Sequence, residues 1–400
     1  MRIGMILDKT FPPDPRVENE ALALIKSGHR VFLFCLTYEK KFQAELIHGI
    51  EVKRYPSNTL EYKLSALSYS IPLYRNMMSR KIAHFLKENK IQVIHVHDMV
   101  IADAVMKANQ AFRLPWILDL HENRPEIMQT YPHLNKFPGN LLISPALWKH
   151  KEGVLVQQAD RVIVVTREAK EELKERTGIK DEKIAIVPNT VSASFYTKFT
   201  TDASVIEKYK DKFVILYLGD TGLRRGLMSV IEAFSIIGND RSLRKKFKLV
   251  IVGQNSSDTV LKNKVQELGL DDLIDFEGWQ DIAVFPSYLQ IAKIGISPLH
   301  RNLHHDTTYA NKLFQYMSFA VPLLVSDARS QKNLVEEVNS GLVHKEKDAA
   351  DIAEKILYLY RHPGLALEFG SRGKQFIEEK FCWEKVSDNL KDLYLKLEKP

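Results

Sequence analysis

Cysteine is nearly absent from this chain: Cys35 and Cys382 are the only two in 400 residues. They match no metal-binding or redox spacing, so a disulfide framework is excluded and a reducing, cytoplasmic compartment is expected. No run approaches the ~18 apolar residues that a membrane-spanning helix needs. The opening MRIGMILDK reads as a strand, without the charged-then-apolar order of a secretory leader. Neither a GxGxxG fingerprint nor a P-loop occurs, which argues against dehydrogenase and ATPase chemistry. Internal repeats and low-complexity segments are missing as well.

What remains is an ordinary globular composition, 45% apolar and 27% charged, long enough for two domains. The net charge of +7 is uneven. Residues 1–200 hold 29 Lys/Arg against 22 Asp/Glu, while the second half holds 28 of each and is neutral. A basic first half suggests attraction to a phosphate-bearing acceptor, an anionic polymer or a membrane surface, the alternative being a solvated surface with no partner. Short, continuously apolar strands alternate with helical patterns throughout: RIGMIL, RVFLFC, QVIHVH, PWILDL, RVIVV and KIAIV, then FVILYL, KLVIV, KIGIS and PLLVS. That pattern predicts parallel sheets covered on both faces, in two Rossmann-like sets. A polar stretch at 192–203 is the expected linker. Residues 60–86 carry apolar side chains at intervals of three and four, which predicts one helix bent at Pro72.

The stretch from Ser297 to Asp327 is the expected centre of the site. It runs from a strand into a polar loop with His300, Arg301, His304, His305 and Asp306. A helix follows, with Asn311 placed to cap it, and then a second buried strand. Open α/β sheets bind ligands in the crevice at the carboxyl ends of such strands. A second strand-loop-helix unit, FVILYLGDTGLRRGLMSVIEAF, places Gly219 where a backbone can approach a ligand, with Arg224 and Arg225 just before the helix. Arginines there can grip a diphosphate bidentately. In the first half, His95, His97 and His121 stand at strand ends, placed for ligand contact or proton transfer. His95, His97 and Asp98 suggest a metal site, but no further ligand has a suitable spacing, so no metal is expected.

Taken together, PDPRV, the HE loop, VPNTV, the RG helix start, NKLFQYM and the closing helix resemble glycosyltransferase family 4 (group 1), the retaining GT-B enzymes. The absence of Asp-x-Asp also speaks against the metal-dependent GT-A type. The resemblance implies an α/β GT-B fold of two Rossmann-like domains whose parallel sheets face a deep interdomain cleft. It implies an acceptor domain over 1–195, completed by a C-terminal helix over 379–400, and a nucleotide-sugar donor domain over 204–378. The donor would be a UDP- or GDP-linked sugar, transferred to a cell-surface polysaccharide or glycolipid precursor, with no cofactor or metal and with peripheral contact to an anionic membrane. The implied catalytic groups are His121, Asp306 and Thr307. Donor contacts would come from Gly219, Arg224, Arg225, Gly253, Trp279, Asn311, Lys312 and Gln315, and acceptor-side contacts from Arg16, His97 and Glu122. The chain departs from the family where two glutamates usually stand, at Thr307 and Gln315, and where Asp220 replaces an arginine and Arg225 a lysine. Those departures leave open a catalytically weakened protein that acts as a nucleotide-binding or partner subunit.

Overall fold

A computed structural model describes residues 1–129, 134 and 142–398. The chain forms two compact units, Met1–Pro188 together with the stretch from Val386, and Asn189–Lys385. The first unit holds β1 (Arg2–Ile6), β2 (Arg30–Thr37), β3 (Gln43–Ile47), β4 (Ile50–Pro56), β5 (Val93–His97), β6 (Trp116–Asp119), β7 (Arg161–Val164) and β8 (Ile184–Ile186). Their order is β3-β4-β2-β1-β5-β6-β7-β8. All pairs are parallel except β3 with β4. Continuous apolar runs predict β1, β2, β5, β6, β7 and β8, and of these β1, β2, β5, β6 and β7 are buried nearly throughout. β3 and β4 escape that reading, because β3 is an edge strand whose side chains are mostly exposed and β4 mixes buried with half-buried positions.

The second unit holds β9 (Phe213–Leu218), β10 (Phe247–Val252), β11 (Ile274–Gly278), β12 (Ala292–Ser297), β13 (Leu323–Ser326) and β14 (Gly341–His344), in the order β11-β10-β9-β12-β13-β14. Successive strands run outward on one side of β9 and then on the other, so the topological switch point lies between β9 and β12. Ligands bind at such points. Packing fixes the helix that faces it, Lys312–Ser318. The Tyr316 ring lies where a Cβ on Gly295 would sit, 2.4 Å away, so only glycine in β12 admits it. Its hydroxyl accepts from the Leu218 N–H at 2.9 Å and donates to the Leu216 carbonyl at 2.9 Å. A buried phenol thus ties the helix to the end of β9.

Four expectations change. The segment 60–86 is two helices, Thr59–Ser65 and Pro72–Glu88, because Pro72 starts the second one instead of bending a single one. The break resets the phase: Tyr74, Met78, Ile82 and Phe85 are buried, whereas Leu60 and Ile71 are exposed. The stretch 192–203 is not irregular, since Ala193–Thr197 is helical and Asp202 caps the next helix, Ala203–Tyr209. The last helix starts at Trp383, after a π-helical turn at Ile377–Phe381, and residues 399–400 of its expected span lie outside the described residues. Finally, the loop after β12 contains a short helix, Leu303–Thr307, capped by Asn302 through the His305 N–H at 2.8 Å. Asn311 itself has helical dihedrals and makes no capping bond.

Candidate active site

In the second unit, the loops that follow β9 and β12 are fastened together. Gly226 has φ +80°, and a Cβ there would lie 1.7 Å from the Pro298 carbonyl oxygen, so the RG step must be glycine for the loops to meet. The His300 N–H donates to the Arg224 carbonyl at 3.1 Å. Arg224 and Arg225 therefore stand beside His300, His304 and His305. Burial first, then neighbouring positive charge, holds His304 at about 3 and His305 at about 4. His300 is likewise lowered, by burial and Lys347.

Lys312 contributes a further nitrogen. Its Nζ is buried, has no hydrogen-bond partner among the described residues, and lies 3.3 Å from the centre of the Tyr217 ring. Burial, then Arg225, pushes this amine well below the usual lysine range, against the pull of Asp220. Gly219, at φ +105°, faces it: a Cβ would come within 3.9 Å of Nζ. Three buried histidine nitrogens, His300 Nε2, His304 Nδ1 and His305 Nε2, are also without partners among the described residues. Buried polar atoms are normally satisfied, so unpartnered nitrogens beside two arginines mark a place for a ligand, with the Lys312 amine as a donor to an anion; His305, whose Nδ1 donates to the His300 carbonyl at 2.6 Å, presents Nε2 as an acceptor.

Not every expected donor contact joins it. Gly253, at φ +141°, serves the backbone: a Cβ there would be 2.0 Å from the Gly219 carbonyl oxygen. Trp279 is 65% exposed and Asn311 is exposed. Gln315 is half-buried, with its amide making no hydrogen bond among the described residues. Asp306 is engaged by protein groups: it pairs with Arg301 at 3.0 Å and accepts from the Arg329 N–H at 2.8 Å, at the start of the helix Arg329–Val338. The Thr307 hydroxyl donates back to the Leu303 carbonyl at 2.7 Å, inside its own helix.

The first unit holds a different polar cluster. Arg16, from the helix Pro15–Lys26, grips Asp119 at the end of β6 with Nε at 3.1 Å and Nη2 at 2.7 Å. It also lies 3.0 Å from Glu20 and donates to the Val187 carbonyl at 3.1 Å. Both side chains of this i, i+4 pair are buried, because the helix face that carries them turns onto the sheet. Arg16 is therefore not presented to an acceptor. His97 is buried too, 3.2 Å from His121, and stacked on His95. His95 meets the Tyr394 hydroxyl at 2.8 Å. Only His121 and Glu122 of the expected first-unit set reach solvent, and Glu122 pairs with Arg124 at 3.4 Å.

Charges in this cluster compensate one another. Burial pushes Asp119 up, but Arg16 and His121 outweigh it and hold the carboxyl well below its usual range. Burial lifts Glu20 to about 7, against Arg16. Burial and the neighbouring His95 keep His97 at about 3. His121 is lowered by burial but raised on balance by Asp119, 2.9 Å from its Nε2. Sequence spacing gave His95 and His97 no further ligand, but folding brings Glu20 and Asp119 to them, with all four ligand atoms within 4.8 Å. Asp98 is not among them. The positive charge at this point is already supplied by Arg16, so a metal ion would have to displace it. Asp119, two residues before His121, was the signal missed in LDLHE.

The model of Glycosyltransferase Family 4 matches residues 16–195, and that of Glycosyl transferases group 1 matches 198–376. The chain is a family 4, group 1 glycosyltransferase of the GT-B fold. Over 354 residues this glycosyltransferase is 21% identical to N-acetyl-alpha-D-glucosaminyl L-malate synthase of Bacillus anthracis, covering 86% of this chain and 85% of that one. It is 24% identical over 253 residues to the capsular polysaccharide biosynthesis glycosyltransferase CapM of Staphylococcus aureus, covering 59% of this chain and 61% of CapM, less than two thirds. Among solved structures, Anabaena Alr3699/HepE in complex with UDP superposes with a TM-score of 0.73 at 13% identity, over 99% of this chain and 100% of that one. At that identity the likeness concerns the fold. Within the glycosyltransferase, the group 1 segment contains the cation-rich loops and the family 4 segment contains the compensated cluster.

Proposed function

We propose that this glycosyltransferase moves a sugar from a nucleoside diphosphate donor to a polysaccharide or glycolipid precursor, with retention of anomeric configuration. The observation that carries the reading is the donor surplus at the switch point of the second unit: Arg224 and Arg225 share the single carboxylate of Asp220, and the buried Lys312 amine beside Gly219 has no hydrogen-bond partner among the described residues. The fixed guanidinium charges of Arg224 and Arg225, with the Lys312 amine as a further hydrogen-bond donor, would stabilise a departing diphosphate. The donor's own phosphate then takes the acceptor's proton, so no protein nucleophile is required. Gln315 is assigned to the nucleotide ribose, with one carbonyl acceptor and one NH₂ donor for its hydroxyls. His121 is the first unit's ligand contact, held in place by Asp119. HepE's complex with UDP supports a uridine donor, and the name of CapM supports a saccharide acceptor. No metal is assigned to the reaction. Among the described residues no helix is long and apolar enough to cross a membrane, and contact with an anionic surface would be peripheral, through the basic first half.

A second reading has an observation of its own. Asp306 and Thr307 are both committed to other partners, so neither offers the sugar what a glutamate would. Such a protein would bind nucleotide without turnover. The experiment is a screen of UDP, GDP, ADP, CMP and TDP by thermal shift, followed by transfer from the matching sugar with and without EDTA and by NMR of the product anomer. An axial donor sugar giving an axial product in EDTA is the expected result. Inverted product, or activity lost to EDTA and restored by Mn²⁺, would refute the mechanism. Inactive wild type, with turnover restored by Thr307→Glu combined with Gln315→Glu, would select the second reading.

A further inference from the structure

The loop after β9 contains an anion seat that already has an occupant. One oxygen of the Asp220 carboxylate accepts from the Gly222 N–H at 3.2 Å and from the Asn255 side-chain amide at 2.6 Å. The other accepts from Arg225 Nε at 3.3 Å and lies 3.6 Å from the Arg224 guanidinium. A backbone N–H, an amide and two guanidinium groups converging on two oxygens is the donor set that a phosphate takes. Gly222 is part of it: a Cβ there would stand 3.4 Å from one carboxylate oxygen and 3.6 Å from the Asn255 nitrogen.

The occupant does not match the seat in charge. One carboxylate faces two arginines, and beside them Lys312 keeps an amine that is more than nine-tenths buried and has no hydrogen-bond partner among the described residues. The charged groups acting on that amine are Arg225 and Asp220, from the loop after β9, and the Tyr217 ring lies against it from β9 itself. An ion with more negative charge than a carboxylate would satisfy this set better. Resting on the diphosphate reading above, we propose that Asp220 is a placeholder. Its carboxylate occupies the seat of a donor phosphate, and Gly222, Asn255, Arg224 and Arg225 become ligands of that phosphate once the carboxylate swings out. While it stays on the loop, its fixed negative charge weakens anion binding in general. Only a ligand with further contacts, such as those of a nucleoside, overcomes the competition, and the spent nucleoside diphosphate leaves more easily.

The test is calorimetric titration of the full chain with UDP, inorganic pyrophosphate and uridine at fixed ionic strength. Wild type is compared with Asp220→Asn, Asp220→Ala and Asn255→Ala, and with Asp271→Asn, an exposed site in the same unit, as a control for net charge. Both Asp220 variants should bind UDP and pyrophosphate about tenfold more tightly, the scale of one freed charge-assisted hydrogen bond. Uridine binding should not change, and Asp271→Asn should behave as wild type. Asn255→Ala should weaken UDP about threefold or more, as expected for one neutral hydrogen bond. Asp220 variants that bind UDP with unchanged or weaker affinity would overturn the placeholder while leaving the diphosphate site in place. Equal tightening in Asp271→Asn would reduce the effect to net charge and overturn it as well. If wild type and every variant bind neither UDP nor pyrophosphate, the diphosphate reading falls and takes this inference with it.

Discussion

Two polar clusters stand at the carboxyl ends of strands, one in each unit, and they are built on opposite principles. In the first unit, Arg16 is enclosed by Asp119 and Glu20, and His121 leans on the same Asp119, so each charge has its counter-charge within the fold. In the second, Arg224 and Arg225 share the single Asp220, while Lys312 and three histidines keep unpartnered nitrogens. The contrast is one of charge and not of hydrogen bonding, because Glu20 Oε1 and Oε2, His95 Nε2 and His97 Nε2 also make no hydrogen bond among the described residues. In the second cluster two guanidiniums share one carboxylate, and the missing counter-charge is still to come. The difference explains why burial alone does not identify an anion site: the more deeply buried cluster is the one least in need of a counter-charge.

The largest effect that could break this comparison is in the first unit. Asp119→Ala leaves the buried Arg16 with only Glu20, and removing one partner of a buried pair costs ~3–5 kcal/mol. Urea unfolding should show it, and a loss below ~1 kcal/mol would mean that Asp119 is not the cluster's keystone. By contrast, Arg225→Ala should leave unfolding nearly unchanged and weaken diphosphate binding by ~1.5–3 kcal/mol, the range of charge-assisted hydrogen bonds. Gln315→Ala should weaken the donor by ~1 kcal/mol, whereas Gln315→Glu should not weaken it, because a carboxylate accepts ribose hydroxyls more strongly than an amide.

Acid stability sharpens the contrast. His304 and His305 stay neutral in the folded protein down to about 3 and about 4, against an ordinary 6.5 once unfolded. Their contribution is therefore fully present above 6.5 and is lost as pH falls toward 4. Glu152 acts in the opposite sense: burial raises it to about 7, so its contribution is present below 4.5 and is lost as pH rises through 7. The informative quantity is consequently a difference. His304→Gln with His305→Gln should lose less stability than wild type between pH 7 and 5, measured by thermal midpoint at each pH, and an identical loss would show that neither histidine is held neutral. The smallest effect lies outside both clusters. Ala320 has φ +55°, a left-handed conformation, so Ala320→Gly should raise stability by up to ~1 kcal/mol. No gain on denaturation would place that strain elsewhere.

Much of this was legible in the sequence. Apolar runs revealed the buried parallel strands, because a strand covered on both faces must be continuously apolar. Edge strands β3 and β11 expose or half-bury most side chains and carry no such signal. Local chemistry was legible where it stays local: Gly219, Arg224 and Arg225 follow β9 in a single turn. Long-range partners were not. Nothing near Arg16 indicates Asp119, a hundred residues on, and nothing near Arg225 indicates that Asn255 would meet Asp220. Asp306 was read as a sugar ligand because sequence gives a residue's place on a loop and not its direction, and its carboxylate turns to the N-terminus of Arg329–Val338. The one-helix reading of 60–86 failed for a related reason, since periodicity cannot register a phase reset at Pro72.

The central claim is that counter-charge is complete in the first unit and missing in the second. Its most direct test is thermal-shift titration of wild type, Asp119→Asn and Arg225→Ala with the best nucleoside diphosphate. At ~100 times its dissociation constant, a ligand specific to the native state adds ~2.7 kcal/mol. The account predicts that Asp119→Asn lowers the ligand-free midpoint but keeps the full ligand-induced shift, whereas Arg225→Ala keeps the midpoint and loses most of the shift. A full shift in Arg225→Ala, or a shift lost in Asp119→Asn, would contradict it.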